Sequence, residues 1–91
     1  MIKPQTKILN ILNCGNEKFK SKDYKGAIND YTNAIKLSPD YGLAYFNRSN
    51  LKYTLKEYYG ACSDANKAKQ FGGMSQKDWW YLNSTECYPS N

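Results

Sequence analysis

The stretch NCGNEKFKSKDYKGAINDYTNAIKLSP, residues 13–39, returns 34 positions later as NRSNLKYTLKEYYGACSDANKAKQFGG, residues 47–73. Laying Ile8 to Pro39 over Gly42 to Gly73 gives ten identities in thirty-two pairs, where about two or three follow from ordinary residue frequencies. Leu9 meets Leu43, Asn13 meets Asn47, Asn16 meets Asn50, Tyr24 meets Tyr58, Gly26 meets Gly60, and Ala27 and Ala34 meet Ala61 and Ala68. Phe19 over Tyr53 and Asp23 over Glu57 keep the chemistry without the identity. A period of this length marks a helix–turn–helix unit that buries its apolar face by stacking on its own copies.

Helical punctuation follows the same period. Thr6 is placed to cap a first helix with Ile8, Ile11, Leu12 and Phe19 at helical spacing, and Ser21-Lys22-Asp23 breaks it. Ala27, Ile28, Tyr31, Ala34 and Ile35 line a second helix that stops at Ser38-Pro39-Asp40, because proline has no N–H for the ladder. The second unit repeats the plan with helices near Leu43 to Leu55 and Tyr58 to Phe71, closed by Gly72-Gly73. A fifth helix is expected over 75–88, opened by the capping-box spacing of Ser75 and Asp78 and stopped at Tyr88-Pro89. The expected fold is all-α, an antiparallel helix-pair solenoid in one domain: repeat one at 8–41, repeat two at 42–74, and a capping helix at 75–88.

Composition narrows the function. The 91 residues hold 41% hydrophobic and 23% charged side chains, and no apolar run nears the roughly 20 residues of a membrane span. Ile8 to Leu12, interrupted by Asn10, is too short for a signal-peptide core, so a cytoplasmic protein is expected. Cys14, Cys62 and Cys87 lack CxxC spacing and there is no histidine, so no metal or cofactor is expected. The cysteines read as reduced, partly buried small hydrophobes. Without histidine there is no nucleophile–base pairing, and no glycine-rich phosphate loop is present; an enzyme is not expected. Asp23, Asp30, Glu57 and Asp64 recur with the repeat and read as helix-start charges or solvated faces.

The residues resemble the tetratricopeptide repeat family through Asn13-Cys14-Gly15-Asn16, Phe19, Asp23-Tyr24, Ala27, Ala34-Ile35-Lys36-Leu37 and Pro39. The second unit matches through Tyr45, Asn47-Arg48-Ser49, Tyr53, Tyr58, Ala61 and Ala68, with Gly73 where the proline would fall. That resemblance implies a right-handed stack of helix pairs whose first helices line a concave, peptide-holding groove. Projected onto this chain, the groove residues are Leu12, Asn16, Phe19, Phe46, Asn47, Asn50, Lys77 and Trp80, with Leu9, Lys20, Leu43 and Tyr53 on the same wall and Asn13 and Tyr81 at its edge. Asparagine offers a peptide backbone both donors and acceptors, aromatics grip apolar side chains, and lysine attracts a carboxylate. Core packing competes for each aromatic, evenly for Phe19 and Tyr53.

One subfamily, the carboxylate-clamp repeats that grasp acidic C-terminal tails of chaperones, looks similar at Asn16, Asn47 and Lys77. Leu12 and Tyr81 replace the clamp's lysine and arginine, removing two charge-assisted hydrogen bonds of about 1.5–3 kcal/mol each. The expected partner is therefore another protein or peptide, its C-terminus acidic or not. Two further readings stand beside that one. The net charge of +5, with Lys18, Lys20, Lys22 and Lys25 at one corner, suits single-stranded nucleic acid, although two repeats would read about two bases and nucleic acid is the less expected partner. A short array also has reason to self-associate, which predicts a weak homodimer through the last helix or an assembly adaptor.

Overall fold

The computed structural model describes residues 4–73, which form four α-helices joined by tight turns: α1 (Pro4–Lys20), α2 (Tyr24–Leu37), α3 (Gly42–Thr54) and α4 (Tyr58–Gln70). The helix expected over 75–88, with Lys77, Trp80 and Tyr81, lies outside the described residues. α1 packs against α2 and α3 against α4, while α2 against α3 joins the two pairs. Two stacked helix pairs with no strand among the described residues are the all-α solenoid expected from the 34-residue period. No helix among the described residues is long and apolar enough to cross a membrane.

The helix start differs from the expectation at Thr6, which sits inside the first turns of α1 and not at its cap. Pro4 opens the helix, where its missing N–H is one of the donors that has no intrahelical partner anyway. In α2 the capping residue is Asp23, whose Oδ1 accepts from the Gly26 N–H at 3.1 Å. A Cβ on Gly26 would collide with the Asp23 carboxylate, so the glycine keeps room for its own cap. Glu57, one methylene longer at the equivalent place before α4, makes no such bond.

Both intra-pair turns close by the same device. After α1, Lys22 N–H donates to Phe19 C=O at 3.0 Å and Asp23 N–H to Lys18 C=O at 2.8 Å, with Lys22 at φ +68°. After α3, Lys56 and Glu57 repeat both bonds at 3.0 and 2.8 Å to Tyr53 and Lys52, with Lys56 at φ +65°. This is the Schellman arrangement, which wants a left-handed residue just past the helix. The end of α4 uses glycine there, Gly72 at φ +78°.

The core is built for close helix approach. Ile8, Leu12, Ala27, Tyr31, Ala34, Ala44 and Leu51 form one buried cluster, and Tyr45, Ala65 and Ala68 a second, with Ile35 packed against both. The alanines let ridges enter grooves at short separation. Gly15 does the same in α1, since a Cβ there would come within 2.6 Å of the Tyr31 ring. In the second unit Ser49 replaces Gly15 and Ala65 replaces Tyr31, so a small–large pair becomes a medium–small pair at equivalent positions. At the far end, a Cβ on Gly73 would strike the Gly42 backbone, so the start of α3 abuts the turn that follows α4.

Two expectations about polar groups are corrected. Asp64 is neither a helix-start charge nor solvated; it is 3% exposed inside α4, held by Arg48 through Nε at 2.7 Å and Nη2 at 2.8 Å and by Lys52 Nζ at 3.1 Å. Arg48 also donates to Thr32 Oγ1 at 3.2 Å and lies over the Tyr45 ring, tying α2, α3 and α4 together. The equivalent pair, Lys18 to Asp30 at 2.9 Å, links α1 to α2. The two cysteines among the described residues also differ from the reduced, partly buried side chains expected: Cys62 is buried and disulfide-bonded, and Cys14 is free and exposed.

Candidate functional site

α1 and α3 are the first helices of the two pairs, so the side chains they turn away from α2 and α4 share one surface. Where they meet, the Asn47 Nδ2 donates to Asn16 Oδ1 at 3.1 Å across thirty-one residues of sequence. The Tyr31 hydroxyl, reaching up from α2, donates to that same oxygen. Tyr31 is fully buried and this is its hydroxyl's one partner among the described residues. Were the phenol to accept from the amide, its O–H would be left unsatisfied at a cost of about 1–3 kcal/mol. The donor direction therefore holds, and both lone pairs of Asn16 Oδ1 are taken.

What remains of Asn16 is its N–H2 group, and Asn16 is one of the residues, with Asn13, Glu17, Phe19 and Lys20, that line a concavity of about 520 Å³. The floor is apolar, with Phe19 edge-on to Tyr24 at 5.8 Å between ring centres. The second unit repeats that aromatic pair, Tyr53 edge-on to Tyr58 at 5.4 Å. Leu9 and Leu43, equivalent by the 34-residue register, are 43% and 36% exposed.

Among the residues expected in the groove, Asn16, Phe19 and Asn47 come together around α1, half-buried and reachable. Asn50 is half-buried on α3, one turn beyond Asn47, and Phe46 is half-buried against the Tyr45, Ala65 and Ala68 cluster. Leu12 is corrected: at 1% exposure it is a core residue packed with Ile8 and Tyr31, and offers nothing to a ligand. The spacing of four residues from Asn16 put it on the groove face, but Leu12 packs into the cluster that α2 and α3 close with Ala27, Tyr31, Ala44 and Leu51. Lys77 and Trp80 lie outside the described residues.

Electrostatics trim the free positive charge. Lys18 is held by Asp30, whose hydrogen bond raises the lysine pKa, and Lys20 lies 3.6 Å from Glu17. Burial, with the Asp30 charge adding to it, pushes the Tyr31 phenol up to about 12, so the hydroxyl keeps its proton and stays a donor. The pairing of Arg48 with Asp64 raises the guanidinium further and commits the one arginine to the scaffold. Among the described residues no group of three His, Cys, Asp or Glu side chains is placed to hold a metal ion.

Tyr31 is the residue that sequence reasoning missed at this site. It falls on the apolar face of α2 and reads as core, which its ring is; its hydroxyl serves the opposite helix. The available signal was the mismatch with Ala65 at the equivalent position of the second unit.

Residues 15–56 match a family model described as TPR repeat. The chain is 46% identical over 54 residues to small glutamine-rich tetratricopeptide repeat-containing protein 2 of Saccharomyces cerevisiae, covering 59% of this chain and 16% of that protein. It is 48% identical over 54 residues to serine/threonine-protein phosphatase 5 of Homo sapiens, covering 58% and 11%, and 37% identical over 65 residues to Hsp70-Hsp90 organizing protein 2 of Arabidopsis thaliana, covering 71% and 11%. The chain thus spans at most 16% of the length of these relatives. No solved structure matches it significantly.

Proposed function

The chain belongs to the tetratricopeptide repeat family, and from that premise we propose that it is a non-catalytic module holding an extended peptide of a partner protein along α1 and α3. The observation that carries this reading is the Asn16 amide, pinned through Oδ1 by Tyr31 and Asn47 with its N–H2 group left over, on a residue that lines a concavity shared with Phe19. A backbone carbonyl or a terminal carboxylate suits that donor, and an apolar ligand side chain suits Phe19, Leu9 and Leu43.

A relative named as an organizing protein of Hsp70 and Hsp90 makes chaperone-type partners candidates. Leu12 tempers this, because the position that a carboxylate clamp fills with lysine is here a buried leucine. The peptide is therefore gripped through its backbone and side chains more than through a charged terminus, and an acidic tail is bound weakly at best.

The test is affinity capture from nuclease-treated lysate of the source organism, comparing the native chain with an Asn16→Ala, Asn50→Ala double variant by mass spectrometry. A partner held by the native chain and lost by the variant is the expected outcome. Equal capture by both moves the interaction off α1 and α3 and sinks the groove reading.

A further inference from the structure

The groove is polar at its first repeat in a fixed sense, and the residue that fixes it lies beneath the groove. Asn16 and Asn50 are equivalent by the 34-residue register, yet their surroundings differ. Beneath Asn16 stands Tyr31, whose hydroxyl donates to Oδ1. The position equivalent to Tyr31 is Ala65, with no polar atom in its side chain, and no side-chain hydrogen bond is made by Asn50 among the described residues. An amide with no orienting side-chain bond from the described residues can turn over and present either its oxygen or its nitrogen.

We propose that Tyr31 is a positioning residue that locks Asn16 with its N–H2 group toward the groove, so that the first repeat selects hydrogen-bond acceptors while Asn50 in the second accommodates acceptor or donor. The ligand class at Asn16 is then a carboxylate or a backbone carbonyl, and a ligand amide or hydroxyl donor is refused. This rests on the peptide-groove reading for its meaning, although the orientation of Asn16 is a property of the free chain.

Asn16→Asp isolates the idea, because a carboxylate still accepts from Tyr31 and Asn47 but turns an oxygen toward the ligand in place of N–H2. The free protein is read first, by NMR of the Asn16 side chain in the native chain and in Tyr31→Phe, with Asn47→Ala as a second variant that removes the other donor from outside the core. Loss of a donor to Oδ1 is expected to move the Asn16 Cγ resonance upfield in both variants and leave its N–H2 signals nearly in place. Movement of the N–H2 signals with a stationary Cγ means the nitrogen faces Tyr31, and overturns the proposal. A pentapeptide of uncharged, largely apolar side chains with a free C-terminal carboxylate is then titrated into each chain. Its affinity is expected to fall about tenfold or more in Asn16→Asp, about threefold in Tyr31→Phe, and less than threefold in Asn50→Asp. Equal losses at Asn16 and Asn50 overturn the asymmetry, whereas a native chain that ignores the peptide and still shows the Cγ shift refutes the peptide reading and leaves the orientation of Asn16 standing.

Discussion

Lys22 and Lys56 hold a left-handed backbone conformation that costs a side-chain-bearing residue about 1–2 kcal/mol, part of which glycine would return to its own greater unfolded entropy. Lys22→Gly and Lys56→Gly are each expected to stabilise the chain by about 0.5–1 kcal/mol, seen as a rise in the thermal unfolding midpoint. The third turn of the same kind already carries Gly72. A second gain is available at Glu57: Asp23 caps α2 and Glu57 leaves α4 uncapped, so Glu57→Asp is expected to add about 0.5–1 kcal/mol in urea unfolding. Tyr31 carries a pH signature. Its folded pKa of about 12 exceeds the ordinary 10.0, so its contribution is complete below pH 10 and declines as pH rises toward 12. Tyr31→Phe should flatten that part of the alkaline stability curve and remove one phenol from the late phase of a spectrophotometric titration.

Helix pairing was legible wherever it depended on period. The turns at Ser21-Lys22-Asp23 and Ser38-Pro39-Asp40 fell where the sequence put them, since breaker chemistry is local. What escaped was polar contact between helices. Arg48 and Asp64 are sixteen residues apart and Asp64 read as a helix-start or solvated charge, yet their fork-to-carboxylate bonds lie between α3 and α4. Asp64→Ala leaves Arg48 and Lys52 without their anion and is expected to cost about 3 kcal/mol, measured by denaturant unfolding; an effect below about 0.5 kcal/mol would show the pair to be ornamental. Leu12 escaped for a related reason: periodicity gives the direction of a side chain on its own helix but not how closely the neighbouring helix approaches. The Lys52–Asp64 contact recurs at the equivalent Lys18 and Asp30 in a more exposed setting.

At the scale of the molecule, net charge and groove chemistry point to different partners, and salt separates them. With Lys18, Lys52 and Arg48 paired to carboxylates, binding of an acidic peptide is expected to weaken less than tenfold between 50 and 200 mM salt. A nucleic-acid complex with six or more phosphate contacts would lose about a thousandfold or more. The groove as a whole was only half legible: the repeat register placed Asn16 and Asn47 on facing helices, but not the hydroxyl below them.

The exchange of Gly15 and Tyr31 for Ser49 and Ala65 also limits how such an array is able to recombine. A crossover inside the α1–α2 or α3–α4 turn would pair Ser49 with Tyr31, a collision, or Gly15 with Ala65, a void. A crossover in the stretch between α2 and α3 passes on each matched couple whole. The heritable unit of this protein is thus the helix pair, and chimaeras joined between α2 and α3 should fold where those joined within a pair fail.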